Sequence, residues 1–302
     1  QITDGIRSRG RSRFRQQLAS ARDRRSEWLD RIVVTPTSRT RQELRTIPNT
    51  TSGRFVMQRT ETFNIATPHI EIDNVTGKVE FANHDEPTVV VTVATLKSNA
   101  EEIVEATSIV ARGNTVKIEV PGRPGIRRRE VLVRVIMPIS ATVQVSTITA
   151  DVDGRGSLDA AVVKSLSGDI RFETIVRSAD LKTISGDVQI SFSPKNVSTT
   201  STSGDIHLDH FSGNGSVKSV SGDCLVHASG PGEISIRSVS GDVTVRVDPD
   251  IEIDVLAQTV SGNLTSEIDL EGTNSAKTEP GLTIRSRTVS GDVRIRRASL
   301  VS

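Results

Sequence analysis

Between Val163 and Ile295 one short pattern of polar and apolar positions recurs seven times. Each copy runs through a basic or polar residue, Ser or Thr, usually an aliphatic residue, Ser, Gly, Asp or Asn, an apolar residue, any residue, and usually a further apolar one. The copies centre on Ser167-Gly168-Asp169, Ser185-Gly186-Asp187, Ser203-Gly204-Asp205, Ser221-Gly222-Asp223, Ser240-Gly241-Asp242, Ser261-Gly262-Asn263 and Ser290-Gly291-Asp292. The serines step by 18, 18, 18, 19, 21 and 29 residues. A short fixed period of this kind signals stacked repeats. We number the Ser as position 0. Aliphatics such as Leu166 and Ile184 stand at −1, Ile170 and Val188 at +3, Phe172 and Ile190 at +5. They share one parity with the Gly, the period-two signature of strands with one buried face. On this parity the Ser/Thr at −2, the Ser and the Asp face outward.

The pattern predicts an all-β chain: a single-stranded β-helix, or β-solenoid, of ~18-residue coils. Glycine within a strand pattern marks a bend or a close backbone approach, so each coil bends near its Gly. Coils stacked ~4.8 Å apart turn like positions into ladders. The Asp ladder needs something to offset its repulsion, which is just under ~1 kcal/mol per neighbouring pair in water. Hydrogen bonds from Ser hydroxyls or turn N–H groups are the expected source. Evenly spread carboxylates single out neither a cation site nor a catalytic pair. The column at −3, with Lys164, Lys182, Lys218, Arg237 and Arg287, reads as a solvated basic edge.

Ahead of the repeats, residues 63–65, 70–72, 79–81, 89–93, 115–120 and 131–137 read as strands. Residues 98–106 read as a short helix capped by Ser or Asn. Thr76-Gly77-Lys78-Val79 and Thr149-Ala150-Asp151-Val152 are degenerate copies of the motif. The basic stretch 122–129, with Arg127, Arg128 and Arg129, reads as a hairpin tip and a candidate contact. The sequence divides into 1–53, an Arg-rich amphipathic helix and linker; 54–148, the first part of the solenoid; and 149–302, its regular part. No capping helix follows the last motif, and an uncovered coil edge invites strand pairing. End-to-end self-association through the C-terminal coil, giving a homo-oligomer or filament, is therefore expected.

Composition changes this picture in three places. Residues 1–50 carry twelve arginines against five acids and no lysine. There Phe14, Leu18 and Trp28 recur at helical spacing, predicting a basic amphipathic helix. It has three readings: a cap on the solenoid, an anchor on a membrane surface or protein partner, or a segment that either touches nucleic acid or is a partly disordered tail. A net charge of +1 and few aromatic rings argue against nucleic acid for the chain as a whole. The single Cys224 falls on a core position, which fits a reducing, cytoplasmic compartment. The cell envelope is the alternative if a segment precedes Gln1.

His69, His84, His207, His210 and His227 lack metal-site spacing, and phosphate-loop, dinucleotide and nucleophile-elbow motifs are absent. No catalytic, cofactor or metal residues are expected.

The Ser-Gly-Asp columns with their preceding Lys-Ser or Lys-Thr resemble the bacterial DUF4097 family, as do residues 60–63 and 79–81. These are β-strand-repeat proteins often labelled "putative adhesin". The resemblance spans about residues 55–297, and the order of segments looks actinobacterial. It implies a β-solenoid without known catalysis and, for members with secretion signals, an envelope location. The expected role is a non-enzymatic scaffold or interaction protein, with an adhesin-like or stress-sensing ligand-binding module as the alternative.

Overall fold

The computed structural model describes residues 57–74, 76–96, 100–122, 130–267 and 281–298. The Arg-rich helix, with Phe14, Leu18 and Trp28, and the loop arginines Arg127, Arg128 and Arg129 lie outside the described residues. The described part is nearly all β. Its strands are β1 (Met57–Asn64), β2 (His69–Asn74), β3 (Gly77–Asn83) and β4 (Thr88–Thr95). A short helix α1 (Glu101–Ala106) follows, then β5 (Ser108–Arg112), β6 (Thr115–Glu119), β7 (Val131–Met137) and β8 (Thr142–Thr147). The repeats form β9 (Asp151–Lys164), β10 (Ile170–Lys182), β11 (Val188–Phe192), β12 (Asn196–Ser201), β13 (Ile206–Ser221) and β14 (Cys224–Ser240). They end with β15 (Val243–Val247), β16 (Ile253–Ser261), β17 (Leu264–Ser266), β18 (Leu282–Ser290) and β19 (Val293–Arg297).

Each repeat supplies a rung of two strand segments, one after the motif and one before the next. Neighbouring rungs pair in parallel, motif against motif: Ile170 lies opposite Val152 and Val188, and Lys182 opposite Lys164 and Thr200. The inward columns close the core. Val152, Ile170, Val188, Ile206, Cys224, Val243 and Val293 are at most 1% exposed.

The expected parity fails at −2 and −1. Ser165, Thr183, Ser201, Ser219, Ser238 and Thr288 are buried. Leu166, Ile184, Val220, Val239 and Val289, taken above as core, are about half exposed (46–51%). The cause is the bend at the motif. The Gly N–H turns inward and needs an acceptor, because an unpaired buried N–H is costly. In three rungs the −2 hydroxyl provides it: Gly168 donates to Ser165 Oγ at 2.8 Å, Gly186 to Thr183 Oγ1 at 3.0 Å and Gly204 to Ser201 Oγ at 2.9 Å. In the later rungs Gly222, Gly241 and Gly291 donate instead to the carbonyls of Ser240, Ser290 and Ser261 in the adjoining rung, at 3.1–3.2 Å. With −2 pointing in, −1 must point out. Period two holds within each strand but inverts across the bend.

The rungs do not stack in chain order at either end. The β2–β3 rung sits between β6–β7 and β8–β9. The β18–β19 rung sits between β14–β15 and β16–β17. The last motif in sequence is therefore interior, and the outermost rung is the one before it. At the other end β4 runs antiparallel to β7, β1 antiparallel to β4, and β5 antiparallel to β6, with α1 against β1 and β4. α1 starts from Ala100 with no side-chain cap, contrary to the Ser or Asn expected. Residues 123–129, read above as a hairpin tip, lie outside the described residues; the flanking β6 and β7 do not pair with each other but join different ladders of one rung.

A charged cluster ties three of these strands together. Arg134 on β7 donates to Glu80 Oε2 on β3 through Nε (2.9 Å) and Nη2 (2.8 Å). Lys78 Nζ lies 2.9 Å from Glu80 Oε1 and 3.2 Å from Asp153 Oδ2 on β9. Burial works against charge on Glu80, but the bonds from Lys78 and Arg134 outweigh it and hold its carboxyl below the usual range. Burial likewise opposes the charge on Lys78, and Glu80 and Asp153 outweigh it, raising that ammonium above its usual value.

Two outcomes follow from this packing. A Cβ on Gly186 would lie 2.1 Å from the Gly168 carbonyl oxygen, so Gly186→Ala should cost about 1–3 kcal/mol in urea unfolding. Ser203→Ala, at an exposed position of the equivalent bend in the next rung, should stay within about 0.5 kcal/mol. The Glu80 contribution is complete above the ordinary value of 4.5 and is lost as pH falls through its lowered pKa. The Lys78 contribution is complete below 10.5 and is lost above it. Melting temperatures of wild type and Glu80→Gln should differ between those limits and converge in stronger acid.

Candidate interaction surfaces

Because every rung carries the same motif in the same register, its side chains line up as rows. The Asp row is a hydrogen-bonded ladder. The N–H of Asp169 donates to Asp151 Oδ1, Asp187 to Asp169, Asp205 to Asp187 and Asp223 to Asp205, at 2.8–3.0 Å. Asp242 donates to Asp223, Asp292 to Asp242 and Asn263 to Asp292, at 2.8–2.9 Å. The order 242, 292, 263 repeats the exchange of the last two rungs. The N–H of Asp292, and after it the Arg294 guanidinium, hold the Asp242 carboxyl below the usual range. Backbone dipoles and nearby arginines thus offset the repulsion along the row. The motif serines are exposed, and Ser167, Ser185 and Ser203 reach the carbonyls of Ile148, Leu166 and Ile184 at 3.3–3.4 Å. The ladder brings no two carboxylates together on a common target. Among the described residues no group of three or more His, Cys, Asp or Glu is placed to hold a metal ion.

On the other side of the bend the −1 side chains form an apolar ridge. Ile148 and Leu166 are 46% exposed, Ile184, Val220 and Val239 48%, and Val289 51%, with Thr202 completing the middle. Beside it runs the basic row at −3. Lys182 pairs with Asp180 at 3.0 Å. Among the described residues Lys164, Lys218, Arg237 and Arg287 have no salt-bridge partner.

The outermost rung offers an edge. β16 pairs with β18, and β17 with β19, and no described strand lies on the far side of either. Leu256 (52%), Val260 (83%) and Leu264 (53%) are exposed there. Asn263 is the one described repeat residue that replaces the motif Asp, and it stands at the end of the ladder, where no further described rung presents an N–H.

A ring cluster escaped the sequence reading. Phe192 and His210 stack with centroids 4.6 Å apart and planes within 10°, and His227 follows at 5.5 Å. His227 Nε2 meets Asp248 Oδ1 at 2.8 Å, and His207 Nε2 meets Asp209 Oδ1 at 3.1 Å. Phe192 and His210 both stand seven residues after a motif serine, a coincidence visible in the sequence. His227 stands only six after its own. A β-bulge between Leu208 and Phe211 absorbs the difference, with His210 at a φ of 46°. Cys224 is unsuited to nucleophilic chemistry: burial first, then Asp223 and Asp205, push its thiol up to about 12.

With this geometry in place, three solved structures are similar to the chain. The first, described as a "putative adhesin" from Bacteroides fragilis, is 13% identical; the match covers 80% of this chain and 98% of that one, with a TM-score of 0.52. The second, a "putative lipid binding protein" from Parabacteroides distasonis, is 14% identical over 80% and 97%, with a TM-score of 0.49. The third, a "putative adhesin" from Parabacteroides merdae, is 9% identical over 81% and 97%, with a TM-score of 0.41. No curated protein matches the sequence. At these identities the likeness concerns the fold, and the first structure carries it. The sequence itself matches the family profile described as Toastrack DUF4097 over residues 67–296, and the chain belongs to that family.

Proposed function

We propose that this chain is a non-enzymatic interaction protein, a β-solenoid scaffold that self-associates through its outermost rung. Each rung is read as one coil. The observation that carries the proposal is the outer edge of β16, which no other described strand pairs and which Leu256 and Val260 frame with Leu264 of β17. Such an edge is a template for another strand unless it is blunted. The contact is therefore assigned to the Ser261 rung, not to the last motif in the chain, which is interior. The opposite end is covered by the antiparallel strands β1, β4 and β5 and by α1. Asn263 suits the contact, because an amide at the ladder's end accepts an incoming N–H without leaving an unmatched charge when free.

A second reading is an adhesin-like module at the cell envelope. It is favoured by the likeness to the Bacteroides fragilis protein called a "putative adhesin". In that reading the rows present a regular surface to an external ligand, and an envelope location replaces the cytoplasmic one expected from the single cysteine. No helix among the described residues is long and apolar enough to cross a membrane.

Light scattering of the full chain tests the first reading. Wild type should show a mass above the monomer that grows with concentration. Ala257→Lys with Leu264→Lys places inward-pointing charges at the open end, a device that blocks edge pairing, and should lower the mass at every concentration. A wild-type monomer at all concentrations, or a mass indifferent to these substitutions, would overturn edge association.

A further inference from the structure

The apolar ridge at −1 is not explained by the fold or by docking at the outermost rung. It occupies one position per rung from Ile148 to Val260, eight rungs and seven spacings, or about 34 Å at ~4.8 Å each. An isolated half-exposed Val or Ile is ordinary. A continuous line of them reaches the few-hundred-Å² scale at which exposed apolar patches mark interaction sites. The bend turns this position outward but does not require it to be apolar, as the exposed Thr202 at the same position shows.

What flanks the ridge identifies the occupant. On the side before it in each rung stands the −3 row, of which Lys164, Lys218, Arg237 and Arg287 lack salt-bridge partners among the described residues. On the side after it stands the Asp row. There Arg171 takes Asp169, and Arg294 takes Asp242 and Asp292. Asp187, Asp205 and Asp223 have no salt bridge among the described residues; their Oδ1 atoms accept only backbone N–H groups. The ridge is thus apolar in the middle, positive along one flank and negative along the other. An anionic surface would meet the carboxylates, and a cationic one the lysines. A second copy of the same ridge meets neither conflict in one arrangement. A two-fold axis parallel to the ridge sets rung against like rung and brings each basic row over the partner's Asp row. A two-fold perpendicular to the ridge would set like charges together.

We propose that two copies of this chain associate side by side through the ridge, in parallel, about a two-fold axis running along it. The contact is isologous and self-complementary, as two-fold interfaces must be. Leu166 meets Leu166 of the partner subunit, and Val220 meets Val220 of the partner subunit. Lys218 comes opposite Asp223 of the partner subunit in the same rung. This contact is independent of docking through β16 and β17: it needs neither Ala257 nor Leu264.

Single cysteines introduced on the ridge read the geometry directly, because the native Cys224 is buried. Under mild oxidation of the full chain, Leu166→Cys, Ile184→Cys and Val220→Cys should each give a disulfide-linked dimer, since like residues face one another along the whole contact. Ser212→Cys, away from the ridge, should not. Leu166→Asp with Val220→Asp should weaken association by roughly tenfold or more in light scattering, with an unchanged circular dichroism spectrum. Ala257→Lys with Leu264→Lys should leave the cross-links in place. Cross-linking at only one ridge position would mean an antiparallel or crossed contact and would sink the proposal. So would failure to cross-link at all, or an association that the two aspartates do not weaken.

Discussion

Where one rung meets the next at the motif, the backbone of the earlier glycine occupies the space that a side chain would need. A Cβ on Gly168, Gly204 or Gly262 would lie 2.0–2.1 Å from a carbonyl oxygen of the neighbouring rung. The rest of the described structure depends on this approach. Glycine fills this position in all seven repeats and at Gly77, with Ala150 the exception between Gly77 and Gly168. The approach turns the Gly N–H away from the ladder, where a buried −2 hydroxyl meets it in the Ser167, Ser185 and Ser203 rungs and a neighbouring carbonyl meets it in the Ser221, Ser240 and Ser290 rungs. It also sets one register for all rungs, so that every other position of the motif becomes a row.

Rows of identical side chains concentrate charge, and the molecule answers with backbone. Each Asp carboxylate in the ladder receives the N–H of the next residue in the row, and arginines at 171 and 294 add countercharge near the two ends. The ladder is therefore a structural device before it is anything else. The same regularity explains why no convergent site arises from the repeats. A repeat distributes its chemistry evenly, whereas catalysis and metal binding require different groups gathered at one point. Interaction along lines and edges is the chemistry that such a surface supports best.

The exceptions to regularity are informative because something in each case breaks the row. The bulge in β13 adds a residue, turns His210 to a positive φ and places three rings side by side. The Ser261 rung loses its ladder Asp, carries Ala257 and Ser266 at inward positions, and is the least buried of the repeats. A rung with little apolar surface to bury costs least at the end of a stack, where half of its contacts are missing.

The sequence by itself determined that the chain is β, that motif lies against motif in parallel, that glycine is required at each bend and that the aspartates form a line. Each follows from a local, repeated constraint, and seven copies state it unambiguously. Tertiary structure alone decided three matters. The reversal of facing between −2 and −1 depends on where the backbone bends relative to the motif, and a hydrophobic pattern does not record that. The meeting of Phe192, His210 and His227 depends on a one-residue bulge between neighbouring rungs. The order of the rungs at both ends depends on competition among near-identical neighbours. Any two rungs can pair through the same backbone hydrogen bonds, so their order is set by how much apolar surface each buries and by the reach of the connections between them, not by the motif they share.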